Sequence, residues 1–124
     1  PTLKKVMLAL IDKGLVPFPY FEGEYTSRLD YLTDLPKGKV ICHFAYTDMP
    51  RAKAILGGKQ CIVGSVPSSL LAVGSAQEVE EFARNLIRDG GKGGGFILTN
   101  GTVDEAKPEN MKAMVAAAKK YGTY

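Results

Sequence analysis

Residues 93–114, GGGFILTNGTVDEAKPENMKAM, carry the clearest structural signal in this 124-residue sequence. Glycines lead into the apolar run 96–98, which predicts a short buried strand, and the polar segment 99–105 predicts a loop. Pro108 then begins a helix that Gly122 ends, since proline at the first helical position and glycine after the last one are typical boundary residues. Apolar residues at helical spacing should form the buried stripe of this helix: Met111, Met114, Val115 and Ala118.

Upstream of this stretch, short apolar strands alternate with helices. We predict strands at residues 15–21, 39–46 and 61–66, with residues 64–69 forming the loop around the end of the third strand. Helices are predicted before Gly14, at residues 26–35, after the capping residue Asp48 and after the capping box that starts at Ser75. The last of these should bury Val79, Phe82, Ala83, Leu86 and Ile87. Continuous apolar strands suit a parallel sheet, so the predicted fold class is α/β with right-handed crossovers.

Composition excludes several classes of protein. The net charge of +3 is spread along the chain, which argues against a nucleic-acid partner. No apolar stretch approaches the roughly 20 residues of a membrane span, so we expect no membrane association. Cys42 and Cys61 do not form a C-x-x-C pair, and we expect reduced thiols in a cytoplasmic protein. The glycine-rich run 90–95 leads from a helix into a strand, the reverse of a phosphate-binding loop.

Five sequence blocks, in order, resemble the C-terminal half of the uroporphyrinogen decarboxylase superfamily. They are DMPRAKAILGG at 48–58, CIVGSVPSSLL at 61–71, GSAQEVEE at 74–81, GGFIL at 94–98 and KPENMKAM at 107–114. The family fold is a (β/α)₈ barrel of about 250 residues. The resemblance therefore implies that residues 1–124 are half of such a barrel, as part of a longer chain or as a homo-oligomer joined through exposed sheet edges.

The resemblance implies two activities, both on tetrapyrrole-linked substrates. One is decarboxylation of uroporphyrinogen, which needs no cofactor in this family. The other is methyl transfer that depends on a corrinoid and on a corrinoid protein as partner. This chain departs from both patterns: Gly64-Ser65 stands where the decarboxylases have Gly-Asn, and Asn100-Gly101-Thr102 where they have Gly-His-Gly.

The metal ligands of the family's methyltransferases are also incomplete here. Those enzymes bind zinc through His-x-Cys and Gly-Cys, and the matching positions are His43-Phe44-Ala45 and Gly101-Thr102. Because His43 alone remains, we expect no metal site. We interpret the chain as a divergent member near the corrinoid methyltransferase branch and expect this half to be inactive by itself. The alternative is a non-catalytic half barrel that binds a corrinoid or another small molecule.

Candidate site residues follow from the rule that chemistry in parallel α/β proteins lies at the carboxyl ends of the strands. The candidate catalytic residues are His43, Asn100 and Asp104. The candidate substrate-binding residues are Glu22, Gly64, Ser65, Ser68, Thr99, Gly101 and Thr102. Each has a structural alternative: His43 as a hydrogen-bonded core residue, the serines as turn and cap residues, and Asp104 as a complement to a helix dipole. Strand alternation puts Val40, Cys42 and Phe44 on one face and Ile41, His43 and Ala45 on the other, without deciding which face is covered.

Overall fold

A computed structural model describes residues 2–123 of the chain. In chain order its elements are α1 (Thr2–Asp12), β1 (Tyr20–Glu24), a 3₁₀ helix (Thr26–Leu32), β2 (Ile41–Tyr46), α2 (Met49–Leu56), β3 (Cys61–Val66), α3 (Ser68–Val73), α4 (Ala76–Gly91), β4 (Phe96–Asn100) and α5 (Pro108–Tyr121). The four strands form one parallel sheet in the order β1-β2-β3-β4. Helices connect successive strands, so the predicted α/β class is confirmed.

Local sequence signals explain where the two main connecting helices begin. At the start of α2, Asp48 Oδ1 accepts a hydrogen bond from Arg51 N at 2.8 Å, and Pro50 stands in the first turn. At the start of α4, Ser75 Oγ accepts from Glu78 N at 3.2 Å while the Glu78 carboxylate accepts from Ser75 N at 2.8 Å. This reciprocal capping box satisfies amides that have no partner inside the helix.

The hydrophobic core lies between the sheet and its helices, and it identifies the covered face. The first cluster joins alternate strand residues to α1, the 3₁₀ helix and α2, and it includes Phe21, Cys42, Phe44, Ile62, Met7, Leu29 and Leu56. The second cluster lies under α3, α4 and α5 and includes Val66, Leu71, Val79, Ala83, Met114 and Ala117. Cys42 and Phe44 therefore face the helices. His43 and Ala45 lie on the opposite face, called the open face below.

Three predicted element boundaries in the first two-thirds of the chain are wrong. The predicted strand 15–21 is assigned only from Tyr20, because Pro17 and Pro19 have no N–H to donate, although their carbonyls still accept from Ile41 N and His43 N at 3.0 and 3.2 Å. The helix predicted at 26–35 is a seven-residue 3₁₀ helix that ends at Leu32. Residues 64–69 are not a loop, because β3 continues to Val66 and α3 begins at Ser68.

The buried faces of α4 and α5 also differ in part from the predicted stripes. Phe82 and Val115 were expected in the core, but their exposed fractions are 37% and 48%. In α5 the buried residues are Asn110, Met114 and Ala117. Their spacing fits a helix, but a search for apolar residues passes over Asn110. Its burial depends on carbonyl groups that tertiary packing supplies.

The sheet has two edges within residues 2–123, formed by its outer strands β1 and β4. Self-association of two chains through these edges stays a prediction.

The cysteines are free, and burial raises the pKa of the Cys42 thiol to about 12. No helix in the described part of the chain is long and apolar enough to cross a membrane.

Candidate functional site

A small cavity of about 230 Å³ lies at the carboxyl ends of the strands. It is lined by Tyr20, Glu22, Ala45, Tyr46, Ser65, Pro67, Ser68, Gly101 and Thr102. Five of the predicted substrate-binding residues are in this lining: Glu22, Ser65, Ser68, Gly101 and Thr102. A larger depression of about 870 Å³ lies between the ends of α4 and α5, beside the glycines that precede β4. It is at the amino end of β4, where this fold does not place its chemistry.

The cavity wall is built where the connection after β3 meets the loop after β4. Ser68 Oγ donates a hydrogen bond to the Thr102 carbonyl, and Gly101 N donates to the Val66 carbonyl at 3.2 Å. Gly101 faces the cavity: a methyl group added there would lie 3.4 Å from Ser68 Oγ and 3.7 Å from Tyr20 Oη. The absence of a side chain at Gly101 therefore keeps this space open.

His43 and Ser65 are hydrogen-bonded on the open face, next to the cavity. His43 Nε2 lies 2.9 Å from Ser65 Oγ, and Ser65 Oγ also donates to the Phe44 carbonyl at 2.9 Å. The imidazole ring lies against Tyr20, with ring centroids 4.5 Å apart, and near Phe18 at 5.8 Å. Partial burial lowers the pKa of His43 from its usual 6.5, because it disfavours the charged imidazolium.

The other predicted site residues, His43 among them, lie outside the cavity lining. Gly64 faces the helices, where an added methyl group would meet Phe96 at 2.9 Å and Met49 at 3.0 Å. Asn100 is partly buried at the end of β4, and its Nδ2 donates to the Gly101 carbonyl at 2.7 Å. Asp104 is exposed in the loop before α5.

Thr99 lies beside Ser65 in the β3–β4 register and is partly buried. The roles assigned to Thr99, Gly64, Asn100 and Asp104 stay predictions.

Asn110 supports the site from behind and was missed by the sequence analysis. Its side chain is fully buried, and Nδ2 donates to the carbonyls of Leu71 and Gly74, each at 2.9 Å. These bonds hold the end of α3 against α5, and the first residue of α3 is the cavity residue Ser68. The signal is the Pro-Glu-Asn motif at 108–110, which the sequence links to a helix start and to the family resemblance but not to a role for Asn110.

The described residues do not fit the zinc site of the family's methyltransferases. Within residues 2–123, no group of three His, Cys, Asp or Glu side chains could hold a metal ion. His43 Nε2 is already engaged by Ser65.

Four parallel strands with connecting helices and a cavity at their carboxyl ends define part of a (β/α) barrel fold. The chain belongs to the uroporphyrinogen decarboxylase (URO-D) family, whose sequence profile matches residues 1–121. The family resemblance expected from the sequence blocks is thus confirmed, and the chain is a half of the family's TIM barrel.

A solved structure of similar fold is a methyltransferase from Methanosarcina mazei. The TM-score is 0.53 at 18% sequence identity, with 78% of this chain and 35% of that chain covered. The present chain thus spans about a third of the length of that protein, and the likeness concerns the fold. No curated protein matches the sequence.

Proposed function

We propose that the cavity binds a carboxamide arm of a corrinoid, as part of a URO-D-like protein that takes part in corrinoid-dependent methyl transfer. The observation that carries this proposal is the chemistry of the cavity lining. It contains hydroxyl groups, backbone groups and one carboxylate, but no lysine or arginine.

The charge of the lining favours a corrinoid over a porphyrinogen. Uroporphyrinogen carries acetate and propionate carboxylates, which the Glu22 carboxylate would repel and which no cation of the lining would neutralise. The arms of a corrinoid end mostly in neutral carboxamides. A carboxamide N–H can donate to Glu22, and its carbonyl can accept from the hydroxyl groups of Tyr20 or Thr102.

The size and surroundings of the cavity agree with an arm rather than a whole macrocycle. A volume of about 230 Å³ suits one short polar chain. Beside it, Phe18 and Tyr20 are 57% and 39% exposed and contact His43. These aromatic rings offer an apolar surface on which the ring of a corrinoid can lie.

Ligand titration tests the proposal directly. The chain should bind cyanocobalamin, followed by calorimetry, more tightly than the octacarboxylate uroporphyrin. Tighter binding of uroporphyrin would favour the decarboxylase reaction, and binding of neither would contradict the proposal.

A matched pair of variants tests the cavity itself. Gly101→Ala should weaken cyanocobalamin binding about tenfold, because the methyl group fills space next to Ser68 and Tyr20. Gly91→Ala is the control, since its methyl group meets nothing closer than Ile87 at 3.7 Å. Equal affinities of the two variants for cyanocobalamin would show that the cavity is not the binding site.

A non-catalytic ligand-binding role is the second candidate. It is supported by the lack of a three-ligand metal set among the described residues and by the engagement of the Ser65 hydroxyl proton with the Phe44 carbonyl. Methylcobalamin and a thiol acceptor discriminate the two candidates. Loss of the methyl–cobalt absorbance supports the enzyme, whereas binding without this change supports the binding module.

A further inference from the structure

We propose that Ser65 holds His43 as the Nε2–H tautomer, so that His43 Nδ1 becomes a hydrogen-bond acceptor that selects ligands with amide N–H groups over ligands with carboxylates. This inference names a specificity determinant, and its ligand-selecting part rests on the function proposed above. Its tautomer part stands on the geometry of His43 and Ser65 alone.

Proton accounting at Ser65 determines the tautomer. A serine hydroxyl has one proton and two lone pairs. The Phe44 carbonyl, 2.9 Å from Ser65 Oγ, can only accept, so both contacts of Ser65 are hydrogen bonds only if Oγ donates to this carbonyl and accepts from His43 Nε2, also 2.9 Å away. Nε2 therefore carries the proton, and in the neutral ring Nδ1 carries a lone pair. In this arrangement the Ser65 proton is directed away from His43, whereas activation of Ser65 as a nucleophile would need it directed toward His43.

The His43 Nδ1 atom is available to a ligand. It has no hydrogen-bond partner among residues 2–123. Within these residues, the fully enclosed side-chain polar atom without a partner is Asn110 Oδ1, and His43 Nδ1 does not belong to that class. Nδ1 therefore has no partner among the described residues and is not fully enclosed. Partial burial favours the neutral ring, in agreement with the lowered pKa of His43.

The His43 ring borders the cavity through two of its lining residues, although His43 is not itself part of the lining. Tyr20 and Ser65 both line the cavity, and both contact His43. Their contacts restrict the ring on two sides, the hydrogen bond to Ser65 fixing its rotation and the aromatic ring of Tyr20 covering one surface. The ring therefore borders the cavity in a fixed orientation, and we expect a ligand arm that extends past Tyr20 or Ser65 to meet it.

The selectivity follows from the electronic character of that acceptor. A lone pair on Nδ1 accepts a hydrogen bond from an amide N–H but has nothing to donate to a carboxylate. Glu22, in the adjoining cavity, adds a negative charge that acts in the same direction. A corrinoid with carboxamide arms is favoured on both counts.

The tautomer can be measured in one spectrum because His43 is the only histidine of the chain. A long-range ¹H–¹⁵N correlation spectrum at pH 8 should show protonated Nε2 and unprotonated Nδ1. Ser65→Ala should give the mixed-tautomer signature of a free imidazole, whereas Ser65→Thr, which retains the hydroxyl, should restore the Nε2–H form. Ser69→Ala is the control at an exposed serine. Protonated Nδ1 in the unaltered chain would overturn the assignment.

A binding experiment tests the ligand-selecting role of His43 separately from its tautomer. Cyanocobalamin has both axial positions of its cobalt occupied, so a shift of the Nδ1 signal would report a hydrogen bond rather than coordination. We expect that shift on saturation, and we expect His43→Phe to bind cyanocobalamin about three- to tenfold more weakly, the range for loss of one hydrogen bond. Binding with an unmoved Nδ1 signal would overturn the selectivity role and leave the proposed function intact. Absence of any binding would instead contradict the proposed function.

Discussion

The side-chain amide of Asn110 in α5 donates a hydrogen bond to the main-chain carbonyl of Leu71 in α3, at 2.9 Å and in the interior of the protein. The same amide nitrogen reaches the Gly74 carbonyl at 2.9 Å, just past the end of α3. Carbonyls at a helix end have no partner within the helix, and burial without one is costly. One side chain thus ties two helices together beneath the β3–α3 connection, which lines the cavity.

Replacing Asn110 should destabilise the whole chain. Asn110→Ala removes two hydrogen bonds and opens a space in the core, although Lys107 N and Nζ still donate to the Leu71 and Gly74 carbonyls, so the free energy of unfolding should fall by about 1–3 kcal/mol. Urea denaturation followed by circular dichroism measures the change. Asn85→Ala is the control on the surface of α4 and should change stability by less than about 0.5 kcal/mol. Equal stabilities for the two variants would show that the Asn110 amide does not anchor α3.

Close contact between α4 and β4 depends on Gly90. A methyl group there would lie 2.4 Å from Phe96 Cδ2, whereas at the adjacent Gly91 the nearest atom is 3.7 Å away. Gly90→Ala should therefore lower stability by about 1–3 kcal/mol through overpacking, and Gly91→Ala should not. Thermal unfolding of both variants tests this difference. Combining Gly90→Ala with Phe96→Leu should recover part of the loss, and no recovery would contradict the steric explanation.

The stability of the chain should depend on the protonation of His43. Burial lowers the folded-state pKa below the usual 6.5, so the unfolded state binds a proton more readily. The contribution of His43 to the free energy of unfolding is therefore fully present above pH 6.5 and is lost as the pH falls from there through the folded-state pKa. His43→Gln cannot titrate and should show a shallower decline between pH 7 and 5 (urea midpoints in buffers of equal ionic strength). Parallel curves for the two proteins would contradict this role of His43.

Cys42 should resist thiol reagents in the folded protein. Burial raises the pKa of its thiol to about 12, and the side chain is fully covered on the helix side of the sheet. Because the thiolate is the reactive form, labelling at pH 8 should require unfolding of the core. Mass spectrometry after iodoacetamide treatment should find Cys42 unmodified in buffer and modified in urea. Cys61, which is only partly buried, serves as the internal comparison. Rapid labelling of Cys42 in buffer would show that the core opens locally.

Much of the site was visible in the sequence because parallel strands bring their carboxyl ends together. Two strands that are separated along the chain contribute to one cavity, as the strand-end rule requires: Ser65 lies near the end of β3, Ser68 follows β3, and Gly101 and Thr102 follow β4. Gly64 belonged to the same prediction but faces the helices, because successive strand residues point to opposite faces. The strand-end rule identifies an edge of the sheet; it does not identify a face.

The amino-acid sequence by itself determined the alternation of strands and helices, the capping residues Asp48 and Ser75 and the membership of the family, because these depend on local backbone preferences and on the order of motifs. Tertiary structure alone decided which face of β2 the helices cover, and with it that His43 meets Ser65 and Tyr20. It also decided that Asn110 is buried, since its partners lie far away in sequence, in and just after α3. The physical reason is that a hydrogen bond or a ring contact requires two groups to meet in space, and for these residues only the packed sheet and helices bring the partners together.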